Sequence, residues 1–113
     1  MVRAEPGVVV LVRFPFSDLS SSKLRPAVVL AHAGGVDWVL CQVTSNAYGD
    51  PAAVALSGSS FATGGLGRES VSRPAKLFTA SQALFVKAVG RLTAEAHRHL
   101  VSQVIGVLQS GVR

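Results

Sequence analysis

From Gly7 to Phe14 the chain alternates, with Val8, Val10, Val12 and Phe14 on one face and Arg13 on the other, which is the two-residue period of a β-strand. Pro15 to Lys23 is polar and rich in Ser and Asp, residues that compete for backbone hydrogen bonds and favour loops. Pro26 to Ala33 is apolar and reads as a second strand, Gly34-Gly35 as a turn, and Asp37 to Thr44 as a third strand, so an antiparallel hairpin is predicted. On that third strand Val39, Cys41 and Val43 share one face. Leu40, Gln42 and Thr44 share the other, which puts the polar pair Gln42 and Thr44 together on a face that a ligand can reach.

Further along, Ala52 to Leu56 is a short strand, and Ser57 to Gly67 is a Gly/Ser-rich connection in which Phe61 anchors a single turn against the core. Ser70 to Pro74 and Ala83 to Leu92 read as strands, while Lys76 to Gln82 shows no decisive period. Thr93 is the N-cap of a helix from Ala94 to Ser110, with Glu95 in its first turn and Gly111 at its end. Leu100, Val101, Val104, Ile105 and Leu108 form its apolar stripe. Short strands joined by turns and one C-terminal helix predict a mainly β chain, a small and strongly bent antiparallel sheet or barrel.

The 113 residues suit a single domain spanning 1–113, which buries roughly two-thirds of its unfolded surface. At 49% hydrophobic and 15% charged, the composition is that of a folded globular chain. The longest apolar runs, Val8 to Val12 and Pro26 to Ala33, fall well short of the ~20 residues that span a bilayer. No signal-peptide pattern opens the chain, so a cytoplasmic protein with no membrane partner is expected. The single cysteine, Cys41, has no partner for an internal disulfide and reads as a small core residue.

Eleven Lys and Arg against six Asp and Glu give a net charge of +5. Such a bias suits an anionic partner: RNA, DNA or an acidic peptide. Arg13, Lys23, Arg25, Arg68, Arg73, Lys76, Lys87 and Arg91 stand singly at strand ends and in loops, a distribution that fits a folded binding face better than a basic tail.

The strand, polar loop and Lys23-Leu24-Arg25-Pro26-Ala27-Val28-Val29-Leu30 unit, followed by Trp38-Val39-Leu40-Cys41-Gln42-Val43-Thr44-Ser45, resembles the MazF/PemK family of toxin endoribonucleases. Arg73-Pro74-Ala75-Lys76-Leu77-Phe78-Thr79, Val89-Gly90-Arg91-Leu92 and the closing helix are similar to the shorter members in order. Two departures stand out. Gly7-Val8 replaces a frequent Gly-Asp, and serines occupy the loop where some members carry a glutamate. The resemblance implies an SH3-like barrel of the PemK/CcdB type, a homodimer, and a toxin restrained by a small acidic antitoxin. It also implies a metal-independent endoribonuclease that needs no cofactor, cuts single-stranded mRNA at a short motif, and uses Arg25 and Thr44 as its catalytic pair.

RNA needs no external nucleophile, because its own 2′-OH can attack the adjacent phosphorus and leave a 2′,3′-cyclic phosphate and a 5′-OH. An always-charged planar guanidinium matches phosphate oxygens, so Arg25, aimed by the φ-restricting Pro26 behind it, suits the charge that builds in the transition state. Thr44 supplies a hydroxyl donor, with Ser45 as a close substitute. Candidate RNA contacts are Arg13, Phe16, Ser21, Ser22, Lys23, Gln42, Ser45, Arg73 and Lys76, with Phe14 or Phe16 available to stack on a base.

Other chemistries fail on spacing. His97 and His99 diverge on the helix and His32 lies in a strand, so no metal cluster is expected. Gly64-Gly65-Leu66-Gly67 lacks a P-loop lysine and reads as a turn. No carboxylate pair suggests acid-base hydrolysis. A CcdB-like topoisomerase poison and a non-catalytic nucleic-acid-binding barrel are the alternatives. The first would use a Trp-Gly-Ile tail, which Leu108-Gln109-Ser110-Gly111-Val112-Arg113 lacks.

Overall fold

The structure is a computed structural model that describes residues 2–14 and 23–113. Phe16, Ser21 and Ser22 lie outside the described residues. Seven strands follow in chain order: β1 (Val8–Phe14), β2 (Lys23–Gly34), β3 (Asp37–Thr44), β4 (Val54–Leu56), β5 (Phe61–Gly64), β6 (Ser70–Ser81) and β7 (Phe85–Leu92), and the helix α1 (Ala94–Ser110) closes the chain. They form one antiparallel sheet in the order β4-β6-β3-β2-β1-β7-β5. β4 and β5 are its edges, so the mainly β expectation holds as a curled half-barrel with one C-terminal helix.

The sheet is covered on both faces. One buried cluster gathers Val9, Val28, Leu30, Cys41, Val43, Leu56, Leu92, Leu100 and Val104. The opposite cluster gathers Val8, Val10, Val12, Ala27, Val29, Leu40, Ala80 and Phe85. This explains why β1 is apolar at Val8, Val9 and Val10 in succession: the alternation expected there accounts for one face, and Val9 fills the other. The helix begins as the sequence predicts, with Ala96 N–H donating to Thr93 Oγ1 at 3.1 Å. Only part of its apolar stripe is covered. Leu100 and Val104 are buried, whereas Ile105 is 48% and Leu108 61% exposed.

Two elements differ from the expectation. β6 runs unbroken from Ser70 to Ser81 rather than stopping at Pro74. Its register against β3 passes from Val43↔Ser72 to Cys41↔Leu77, so residues 73–76 bulge out of the ladder. A bulge is where a strand tolerates a residue without an N–H, and Pro74 is fully buried within it. The Gly/Ser-rich connection contains the expected single turn at Gly58–Ser60, but it then enters β5, paired to β7. Gly64 and Gly90 make that pairing possible: a Cβ on Gly64 would come within 2.2 Å of the Val89 carbonyl oxygen, and one on Gly90 within 2.8 Å of the Thr63 oxygen.

Candidate nucleic-acid interface

β2 and β3 run antiparallel and remain paired as far as Ala27↔Gln42. Two residues beyond that pair lie Arg25 on one strand and Thr44 on the other, so the hairpin register alone brings them to neighbouring strand ends. Both line a pocket of about 300 Å³, together with Leu24, Pro26, Val43 and Ser45. Side-chain alternation puts Arg25 and Thr44 on one face of the hairpin and Leu24, Pro26, Val43 and Ser45 on the other. The pocket therefore wraps the strand ends. Leu11, Leu66 and Val43 give it an apolar side, where a charge-assisted contact is stronger than in open water.

The loop after Thr44 is organised by side chains. Asn46 N–H donates to Thr44 Oγ1 at 3.2 Å, and Tyr48 N–H donates to Asn46 Oδ1 at 2.8 Å. Thr44 thus accepts from the backbone and keeps its own O–H proton for another acceptor, such as a phosphate oxygen. Tyr48 takes a left-handed φ of 52° and is 66% exposed.

Arg73 sits on the β6 bulge, away from the lining of this pocket. Its Nε donates to Asp50 Oδ2 at 3.2 Å, and its guanidinium lies 5.3 Å from the Tyr48 ring centroid. Asp50 also accepts from Ala52 N–H at 2.9 Å. That backbone hydrogen bond, then Arg73, hold its carboxyl below the usual carboxylate range. The structure therefore engages Arg73 in fastening the 45–53 loop to β6. Gln42 is half-buried on β3, and Ser45 is exposed and lines the pocket. Lys23 and Lys76 are exposed at the start of β2 and on the β6 bulge, and Arg13 is exposed on β1. Phe14 packs on the core and tilts against Phe78, with ring centroids 4.7 Å apart.

Arg68, counted in the sequence among the scattered cations but not among the candidate RNA contacts, also lines this pocket. It follows Gly64, Gly65 and Gly67, of which Gly64 and Gly67 take φ of 66° and 78°, and it lines the same pocket as Arg25 and Thr44. Nothing in the period of residues 57–67 marks this, because the turn depends on β5 pairing with β7. A larger cavity, about 360 Å³, lies by Arg3, Glu5 and Arg91, but both of its arginines pair with Glu5 and hold that carboxyl below its usual range, Arg91 foremost. Its positive charge is locally neutralised, whereas among the described residues neither Arg25 nor Arg68 forms an ion pair.

Cys41 is fully buried, as expected. Its Sγ lies 3.0 Å from Ser72 Oγ and 3.0 Å from the Arg73 carbonyl oxygen, and burial pushes the thiol above its ordinary range. Among the described residues, no three His, Cys, Asp or Glu side chains gather in a group that could hold a metal ion. No described helix is long and apolar enough to cross a membrane.

Residues 5–108 match the profile of the PemK-like, MazF-like toxins of type II toxin-antitoxin systems. The chain belongs to this family. Its fold is similar to that of MazF from Deinococcus radiodurans, with 21% identity over 96% of this chain and 98% of that one at a TM-score of 0.71. It is also similar to a MazF toxin of Mycobacterium tuberculosis, with 16% identity over 90% of this chain and 96% of that one at a TM-score of 0.70. A mycobacterial endoribonuclease solved with its cognate antitoxin matches at 15% identity over 92% and 91% of the two chains, with a TM-score of 0.68. Comparison with curated proteins finds no match. At these identities the solved structures speak to the fold, and the family membership rests on the profile.

Proposed function

We propose that this MazF-like toxin is a sequence-specific endoribonuclease that cuts single-stranded mRNA without a metal, through attack of the RNA's own 2′-OH. The observation that carries the reading is the meeting of Arg25 and Thr44 at one pocket on paired strand ends, in a chain of this family. Arg25 holds the phosphoryl oxygens as charge builds, and Thr44 donates its free O–H to one of them. Both act by placing and stabilising, since a guanidinium is a poor proton shuttle. The products are then a 2′,3′-cyclic phosphate and a 5′-OH.

Cleavage should persist in EDTA and stop on an RNA whose single 2′-deoxy nucleotide precedes the cut, although that RNA still binds. Cutting of the deoxy substrate, or a requirement for added divalent ion, would defeat the mechanism.

The partners follow the same reading. Relatives have been solved together with an antitoxin; for this chain a small acidic antitoxin covers the basic RNA face with a segment that folds on docking. A second copy of the chain covers exposed apolar residues such as Ile105 and Leu108. Light scattering should give twice the 11.7 kDa chain mass, and a monomer at micromolar concentration would count against the dimer.

A further inference from the structure

We infer that Arg68 is a second phosphate-binding cation of the site, gripping the phosphate next to the one that is cut. The inference rests on the endoribonuclease reading above and names a residue that reading does not use.

Arg68 lines the pocket of Arg25 and Thr44, and it also lines a neighbouring cavity of about 300 Å³ with Ser57, Phe61 and Glu69. A third cavity of about 270 Å³ shares Ser45 and Ser70 with the first, and Ser57 and Glu69 with the second. The three adjoin one another around the 65–70 segment; the one at the strand ends holds Arg25, Thr44 and Arg68, while the other two are lined largely by apolar residues such as Leu56 and both include Glu69. A chain of nucleotides whose reacting phosphate meets Arg25 and Thr44 has Arg68 on the wall of the same pocket, within reach of a neighbouring phosphate.

Charge marks Arg68 out as well. Arg3, Arg73 and Arg91 each pair with a carboxylate. Among the described residues none gives the Arg68 side chain an ion pair or a hydrogen bond, although it is exposed beside the pocket. An unneutralised guanidinium on a groove is set for a phosphate. Arg25 and Thr44 come from the paired strand ends and Arg68 from the separate 65–70 segment of the same pocket wall, which assigns it to the adjacent phosphate and makes it a binding residue.

Gly67 holds the segment in position. Its φ of 78° disfavours any other residue, although a Cβ there would meet nothing within 4 Å. The loop is therefore shaped by its backbone and leaves the groove open.

The test uses the full-length protein and a single-stranded RNA that carries the motif the wild type cuts, made uncleavable by one 2′-deoxy nucleotide at the cut. Affinity is measured against salt, and kcat and KM on the all-ribose RNA. Arg68→Ala should weaken binding about tenfold and lower the slope of log affinity against log salt by about 0.7, the value for one phosphate contact on a single strand. It should raise KM with kcat unchanged. Arg68→Lys should keep the slope, because the charge remains, and Arg98→Ala on the exposed face of α1 should change nothing.

A wild-type slope and affinity in Arg68→Ala, with the wild type still cutting, would overturn the assignment of Arg68 alone. A fall in kcat with unchanged binding would move Arg68 to the reacting phosphate and overturn its role as a flanking contact. A wild-type protein that cuts no RNA would instead overturn the reading on which the inference stands.

Discussion

The tripeptide Arg-Pro-Ala occurs twice in this chain, at Arg25-Pro26-Ala27 and at Arg73-Pro74-Ala75, and the two arginines meet opposite fates. In both, the proline restricts the backbone before it and lacks an N–H of its own. Arg25 lies near the start of β2, where Ala27, Val28 and Val29 are buried, and it lines the strand-end pocket. Arg73 stands on a bulge, paired with Asp50 and stacked over Tyr48. The difference is supplied by what lies across from each arginine: the Thr44 strand end in one case and a carboxylate on a folded loop in the other. Among the described residues a carboxylate meets Arg73 and none meets Arg25, which leaves Arg25 for a phosphate.

The largest expected effect is at the open arginine. Arg25→Ala should reduce RNA cleavage by about 10³-fold, at or beyond the upper figure for losing one charge-stabilising donor, with the melting transition unchanged. Arg25→Lys should recover little, because an ammonium does not reproduce the bidentate fork. Near-wild-type cleavage in the alanine variant would break the comparison outright.

Thr44→Val comes next, a nearly isosteric change that removes the hydroxyl and the acceptor for Asn46 N–H. A fall of about 10²-fold in kcat is expected. If the fall appears in KM alone, Thr44 serves to hold the loop and not the transition state.

At the paired arginine the readout should be stability. Arg73→Ala should lower the melting temperature, since it leaves the Asp50 carboxylate without its ion-pair partner, while kcat stays at the wild-type value. A loss of kcat without loss of stability would instead place Arg73 at the RNA interface, where the sequence puts it.

The pH dependence sharpens the same contrast. Asp50 is held below its ordinary pKa by Ala52 N–H and Arg73, so the folded state binds fewer protons there than the unfolded state. Its contribution is present above the unfolded carboxylate value of about 3.9 and is lost as pH falls below it. Melting temperatures scanned from about pH 6 to pH 3 should therefore fall less steeply in Asp50→Asn than in the wild type. Some slope should remain from Glu5, which is lowered in the same direction.

How far the chain could be read from its residues alone follows from the range of the interactions involved. β1, the β2–β3 hairpin and α1 with its Thr93 cap are written in local periods, a glycine turn and a hydroxyl three residues from an N–H. For them the residues suffice, because each preference is settled within a few positions. The neighbouring placement of Arg25 and Thr44 was also legible, since one hairpin register carries both.

What only the tertiary structure decided involves partners far apart in sequence. β6 passes through Pro74 because β3 tolerates a bulge there. β5 forms from a Gly/Ser-rich segment because Gly64 and Gly90 let two backbones approach. The charges were all visible as residues, but their availability was not. Arg73 meets Asp50, 23 positions away, whereas Arg68 reaches the Arg25 pocket only because β5 turns the chain back toward the strand ends. Neutralisation of a cation is a property of distance in space, and a sequence pattern records distance along the chain.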